Sequence, residues 1–374
     1  MGFWAGFAKK QPVTDRFAPL SFLRICIVIG VMVMKPLKNF ISKLRGLYKA
    51  IAAVAEGKWD FCSIAADYVY CKLRFKMRRQ EYFVYGFYDF RNRYRKKFLL
   101  KRHKKKYLRI QTKFFTLSKY TFYRRIPDLY QREILLAPHC GQERFLAFVQ
   151  KHKKIFIKPD TGCSGNGVKL FEYTNDEDAL TEFRQYTKKD PMICEELIRQ
   201  HDTLAQLHPH CVNSVRILSL LLDGEVQILS ATLKIGTDPD SVIDNTNARG
   251  IFADVDIPTG IVSSFGMDAR CNRIVHHPLS GIQIIGLQIP NWEIAIDLVT
   301  QAHKQLPQCC FFGWDVAITP EGADIIEANA SPADQGTQAA SRIPKGGKII
   351  PLLKKDRLKQ KNPKFVPNYD VPDV

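Results

Sequence analysis

The 374-residue sequence predicts an α/β (α+β) protein with three textures: a basic helical leader, a mixed strand-and-helix region and a longer strand-rich region. Three observations predict it. Basic and aromatic residues interleave late in the first third, as in YFVYGFYDFRNRYRKKFLLKRHKKKYLRI. Short runs with β-like alternation, KKIFIKP and PMICEEL, then flank a helical patch, DEDALTEFRQYT. Beyond residue 208 come hairpin signals. The clearest is SVRILSLLLDGEVQILSATLKIG, two apolar runs joined by the tight-turn pair Asp223-Gly224.

The leader covers residues 1–126. Of the formal net charge of +19, nearly all falls between Cys71 and Ile126, where 20 Lys and Arg face only Glu81 and Asp89. Such a segment suits an anionic membrane surface or an anionic glycan, or simply the solvated face of a helix on an enzyme. No recognised nucleic-acid module accompanies it, which disfavours nucleic acid as a partner. The run ICIVIGVMVM at 25–34 is half of the roughly 20 residues that span a bilayer. Bracketed by Arg24 and Lys35 and followed by no small-residue cleavage site, it is expected to be a buried helix or strand, with shallow membrane contact as the alternative. The ten cysteines form no C-x-x-C pair and no spaced Cys/His cluster. They predict a reducing, cytoplasmic setting rather than zinc or a disulfide framework, with peripheral attachment to the inner membrane face left open by the basic leader. Cys163 reads as a free thiol.

Residues 127–200 contain KKIFIKPDTGCSGNGVKLFEY, a glycine-rich loop from Gly162 to Gly167 between two strands. Backbone N–H groups exposed in such a loop cradle phosphate oxygens, and Lys158 at the strand end adds a point charge. The Gly-Lys-Ser/Thr ending of a Walker loop is missing and no helix follows. That leaves a flap closing over a nucleotide, or an ordinary hairpin loop. PMICEELIRQHDTL ends a strand in Glu195 and Glu196, then leaves through Ile198 to Asp202. A linker of this kind can pair its backbone with adenine while a carboxylate takes ribose hydroxyls; solvated strand-end acids are the other reading.

Residues 201–350 include an amphipathic helix, NWEIAIDLVTQAHKQL, and the stretch GWDVAITPEGADIIEANASP. If GWDVAIT and ADIIEAN pair across the three-residue loop Pro320-Glu321-Gly322, Thr319 faces Ala323 and Asp315 faces Glu327. Glu327 and Asn329 then share one face with Asp315, while Trp314, Val316, Ile326 and Ala328 take the other. Two adjacent carboxylates repel unless a cation neutralises them. Hard oxygen donors suit Mg²⁺ or Mn²⁺, and magnesium typically binds one or two carboxylates together with substrate phosphates. A solvated edge hairpin is the plain alternative. HPHC at 208–211 and HHPLSG at 276–281 lack partners at zinc spacing and read as loop or core histidines. Residues 351–374 mix Lys, Pro, Asn and Asp and are expected to be disordered.

The order of these pieces resembles the ATP-grasp superfamily: lysine before proline, a glycine-rich flap, an acidic strand-end linker, an arginine-bearing strand, then Asp with a later Glu-x-Asn. NSVRI, VIDNTNARGI, HHPLSGIQIIGLQIPNW and GWDVAITPEGADIIEANASP look most like its sugar-transfer-associated branch, over roughly residues 80–350. The resemblance implies two lobes closing on Mg-ATP, residues 127–200 being the small lobe with the flap and 201–350 the large lobe with the metal site. It implies Lys158 and Lys119 on ATP phosphates, and Gly162, Ser164, Gly165 and Gly167 in the flap. Glu195, Glu196 and Ile198 would lie at the adenine hinge, with Asp202 on ribose. Arg216 would meet the transferred phosphate, and Asn245 and Arg249 would approach the phosphoryl or acyl group. Asp315, Glu327 and Asn329 would hold the metals. Lys234 stands where related ligases often carry arginine, and His277-Pro278 would shape the acceptor side. The usual amino-terminal α/β domain is not recognisable, the basic helical leader taking its place.

The activity this implies is a carboxylate–amine ligase working through an acyl phosphate on a polar carboxylate or sugar-containing acceptor, in surface polysaccharide assembly. Two alternatives stand beside it: a kinase of the same fold acting on a sugar or lipid-linked acceptor, and a basic membrane- or nucleic-acid-binding module.

Overall fold

The computed structural model describes residues 39, 41–89, 97–107, 118–161, 167–239, 250–268, 272–307, 309–330, 332 and 336–360. The chain divides into two compact units, 1–67 and 68–374. In the first, a helix over 41–52 buries Ile51, and the Tyr48 and Phe61 rings lie 5.3 Å apart. The apolar run 25–34 lies outside the described residues. Among the described residues no helix is long and apolar enough to cross a membrane.

The second unit is built on two antiparallel sheets. The smaller has the order β1 (Ile134–Ala137), β4 (Met192–Glu196), β2 (Lys154–Pro159), β3 (Lys169–Glu172). Alternation decides its faces. Leu135, Ile155, Ile157 and Cys194 point toward the helices Gln142–His152 and Asp176–Arg184, joining Phe145, Phe148, Val149 and Ala179 in one core. The second helix starts at Asn175, whose side chain accepts the Asp178 N–H, and carries Asp176, Glu177 and Asp178 in its first turn, where the helix dipole favours acids. The antiparallel pairing of β2 with β3 is the hairpin expected around the glycine-rich loop.

The larger sheet has seven strands in the order β11 (Gly322–Asn329), β10 (Phe311–Thr319), β5 (Val215–Leu222), β6 (Glu225–Ile235), β7 (Ile251–Val255), β8 (Gly266–Met267), β9 (Arg273–Ile274). Leu222 pairs with Glu225 across Asp223-Gly224, both at positive φ (58° and 86°), as the expected tight turn requires. One face, with Ile217, Ala231, Leu233, Ala253 and Trp314, packs on the helix Trp292–Lys304. The opposite face is polar at one end and apolar at the other. Leu218, Leu220, Leu222 and Leu229 form a core there with Leu99 of the leader and with Ile349 and Leu353. The last two belong to the helix Gly346–Gln360, which corrects the expected disorder from residue 351: the Lys-rich text hides an i,i+4 apolar pair that this sheet buries. Residues 361–374 lie outside the described residues.

The β10–β11 register shows a second departure. Thr319 pairs with Gly322 and Ile318 with Ala323, so the turn has two residues, not three. A bulge between Asp315 and Val316 then inserts one extra residue, and Asp315 meets Glu327 after all. Gly313 faces Asn329, and a Cβ there would sit 2.3 Å from Pro332 Cβ.

Candidate nucleotide and metal site

Strand pairing lays a polar row across five strands of the large sheet: Glu327 opposite Asp315, Asp315 opposite Arg216, Arg216 opposite Thr232, Thr232 opposite Asp254. Directly paired residues share a face, so all five side chains project from the side away from the helix Trp292–Lys304. Asn329 and Lys234, each two residues along from a member of the row, share it too. The sequence reading of Asp315, Glu327 and Asn329 as one patch is what the pairing gives.

At the centre Arg216 grips Asp315 bidentately, Nε on Oδ1 and Nη2 on Oδ2 at 2.8 Å, and Lys234 Nζ stands 3.5 Å from Oδ2. Burial pushes the Asp315 carboxyl up, but Arg216 and Lys234 outweigh it and hold the pKa down at about 2. Asp315 is therefore an anion at neutral pH, flanked by two cations that can meet phosphate oxygens.

The small sheet supplies the facing wall. Glu195 pairs with Phe156, so it shares the side of β2 that carries Lys158, and its Oε1 lies 2.8 Å from Lys158 Nζ. The same oxygen accepts from Arg132 Nη2 at 3.2 Å, while Arg132 Nη1 donates to Asp324 Oδ2 at 2.6 Å and to the Ile325 carbonyl at 2.8 Å. Burial raises the Glu195 pKa, yet Lys158 and Arg132 bring it below the ordinary carboxylate range. Arg132 thus ties the lysine-bearing sheet to β11, three residues before Glu327. Nothing in YQREILL marks it; a lone arginine before an apolar strand reads as solvent-facing, and only the structure shows it buried.

Lys119 opens a short helix, Lys119–Arg125, capped by Ser118. Its Nζ donates to the Pro159 carbonyl at 2.9 Å, and Asp160 Oδ1 accepts from the Ser118 hydroxyl at 3.0 Å and the Tyr120 N–H at 2.8 Å. Burial lowers the Lys119 pKa and Lys158 lowers it further, against the opposing pull of Glu327, Asp160 and Glu195. Of these charges Lys158 and Glu195 belong to the small sheet and Glu327 to the large one. The same helix sends Phe122 against Phe312 and Trp314. Asp160 sits in the quoted KPD, where the sequence reading passes over it.

Other expected residues stand apart. Glu196 is on the helix-covered face of β4, where its carboxylate accepts the Glu133 N–H at 3.1 Å. Ile198 is half-buried just past β4, while Asp202 is exposed at the start of the short helix Asp202–Ala205. His208 and His277 are buried and bound to backbone carbonyls of Asp238 and Gly236, so both hold loops. Gly162, Ser164 and Gly165 of the flap, and Asn245 and Arg249, lie outside the described residues; Gly167 is described, at φ 77°.

The residues fit a hard divalent cation. Among the described residues no group of three or more His, Cys, Asp or Glu is placed to hold a metal ion, so a cation here would take two carboxylates, the Asn329 amide and oxygens from its ligand. Two carboxylates and an amide beside Arg216 and Lys234 are the donor set magnesium takes when phosphate oxygens complete its shell. Asp315, Glu327 and Asn329 are the residues that would hold it.

Comparison with solved structures gives similarities at low identity. The ATP-grasp ligase PsnB complexed with a phosphomimetic variant of its minimal precursor, Mg and ADP is 13% identical over 66% of this chain and 60% of that one, with a TM-score of 0.41. D-alanine–D-alanine ligase from Bacillus anthracis is 13% identical over 66% and 68%, with a TM-score of 0.38. D-cycloserine synthetase DcsG is 10% identical over 64% and 70%, with a TM-score of 0.39. The chain thus spans about three-fifths of the PsnB chain's length. A search of curated proteins finds no match. The model of the sugar-transfer associated ATP-grasp family matches residues 90–343, which carry β1 to β11 and both walls of the site; the chain belongs to that family.

Proposed function

We propose that the protein is a Mg-ATP-dependent carboxylate–amine ligase that activates its acceptor as an acyl phosphate, in the assembly or modification of a surface polysaccharide. The observation that carries this reading is the pairing of Asp315 with Glu327 beside Arg216 and Lys234, with Lys119 and Lys158 on the facing wall. Condensing a carboxylate with an amine is uphill in water. An acceptor carboxylate oxygen therefore takes the γ-phosphoryl group of ATP, ADP leaves, and an amine attacks the acyl carbon and expels phosphate. The protein's part is positioning and charge neutralisation. Arg216 and Lys234 meet negative charge on the phosphoryl oxygens, and Lys158 and Lys119 hold the phosphate chain. Bound magnesium would draw charge from the β- and γ-phosphate oxygens. Keeping water from the acyl phosphate would protect it until the amine arrives.

The test is a mass-spectrometric screen of carboxylate and amine pools incubated with the full chain and Mg-ATP. An amine-dependent conjugate with stoichiometric ADP supports the ligase. A phosphorylated acceptor formed without any amine makes the protein a kinase instead.

A further inference from the structure

The polar row that carries Asp315 and Arg216 continues past them into groups the nucleotide reading does not use. On β6, Ser230 and Thr232 are 1% and 2% exposed, and on β7 Asp254 is 4% exposed. Ser230 Oγ, Thr232 Oγ1 and Asp254 Oδ1 are all buried without a hydrogen-bond partner. Thr232 sits directly opposite both Arg216 and Asp254, and Ser230 is two residues along β6, so the three atoms belong to one face.

A buried polar atom normally has a partner, and one that lacks it is a place for a ligand or an ordered water. Three such atoms on adjacent strands, next to a phosphate-handling arginine, make a built surface. A roof covers them. The helix Gly336–Ala339 packs on β6 and β7, and beyond it Ser341 Oγ and Lys345 Nζ (3.3 Å) both engage Asp254 Oδ2. Gln338 fixes the roof to the leader, its amide bonding the Leu99 N–H at 2.9 Å and the Leu99 carbonyl at 3.0 Å.

The donor inventory says what fits. Asp254 Oδ1 only accepts, whereas each hydroxyl both donates and accepts. An ammonium would serve all three oxygens but leave two hydroxyl protons without acceptors. A carboxylate or phosphate would meet the unpaired oxygen of Asp254 head on. Vicinal hydroxyls, which donate and accept in turn, satisfy every atom. We propose that Ser230, Thr232 and Asp254 form the acceptor-side subsite of this active site and take a vicinal diol or longer polyol of the substrate. Because strands lie about 4.7–4.9 Å apart, the polyol spans about 5 to 10 Å from the Arg216 strand position, where the reactive carboxylate of the same molecule lies. Binding parts the 336–345 segment from β6 and β7, since all three atoms are covered in this arrangement. The assignment rests on the ligase reading for the identity of the neighbouring site.

The experiment uses the full chain with Mg-AMPPNP and three probes titrated by calorimetry or saturation-transfer NMR. These are glucuronate (a carboxylate with vicinal diols), cyclohexanecarboxylate and 6-aminohexanoate. Glucuronate is expected to bind at least tenfold more tightly than either of the others. In the Ser230→Ala/Thr232→Val double variant that preference disappears while AMPPNP affinity is unchanged. Equal binding of the probes, no binding, tightest binding of 6-aminohexanoate, or a preference that survives the double variant overturns the polyol subsite. Failure of AMPPNP to bind the wild-type chain refutes the nucleotide reading separately. Stability gives an independent readout. Removing unpaired buried hydroxyls is expected to raise the Tm of the ligand-free double variant. A lowered Tm means that ordered water already satisfies these hydroxyls, and the subsite falls.

Discussion

Replacing Asp315 with Asn isolates the charge at the centre of the site. In the wild type the carboxyl is held at about 2 against an ordinary 3.8, chiefly because Arg216 and Lys234 overcome the cost of burial. A gap of about 1.8 units, at 1.36 kcal/mol per unit, corresponds to about 2 kcal/mol of stability at neutral pH. Because the folded pKa is the depressed one, that stability is complete above about pH 5 and fades as pH falls toward 2; about half remains near pH 3. The amide of the Asp315→Asn variant cannot ionise, and it leaves two cations facing each other. Urea unfolding of both proteins from pH 7 down to pH 3 is the assay. The wild type should exceed Asp315→Asn by about 2 kcal/mol at pH 7 and by clearly less at pH 3. The variant should also fail to bind Mg-AMPPNP while keeping a native circular dichroism spectrum. A stability difference that stays flat across that range would refute the ion-pair reasoning. Undiminished Mg-AMPPNP binding would refute the metal assignment.

Further perturbations probe the rest of the framework. Glu327→Gln and Lys158→Met should each abolish ADP release, measured by a coupled assay, without lowering expression of folded protein. Arg132→Met takes the ion-pair partner from buried Asp324 and one of two cations from Glu195, and should cost about 3–5 kcal/mol in chemical unfolding, with Arg132→Lys recovering part of it. Gly313→Ala drives a methyl into Pro332 and should cost about 1–3 kcal/mol, read as a lowered Tm. If the exposed lysines of the helix Lys101–Tyr107 meet anionic headgroups, the protein should sediment with anionic liposomes and not with neutral ones, and added salt should release it; equal recovery in both pellets removes the membrane option.

Local pattern is enough wherever a face can be counted along a strand. The Asp223-Gly224 turn, the helix Trp292–Lys304 and the pairing of Asp315 with Glu327 all follow from period and turn chemistry. The last pairing follows from a wrong turn length, offset by a bulge no local pattern marks. Bulges depend on how a strand bends over its neighbours, and that is a property of the whole sheet. Long-range burial is the other blind spot. Arg132 meets residues 63 and 192 positions away, and Asp254 meets Ser341 across 87, so neither carries a local signature of its role. Glu195 and Glu196 show the opposite limit: the sequence offers both as site residues, yet strict alternation sends only one of them inward.

The five-strand row also sets a timetable. Arg216 waits 99 positions for Asp315, and Glu327 completes the set only when the last strand of the sheet has emerged from the ribosome. A nascent or prematurely terminated chain ending before residue 315 therefore carries Lys119, Lys158 and the glycine-rich loop but none of Asp315, Glu327 and Asn329. Such fragments should be unable to consume ATP, and nucleotide added during synthesis should shield only full-length product from proteolysis.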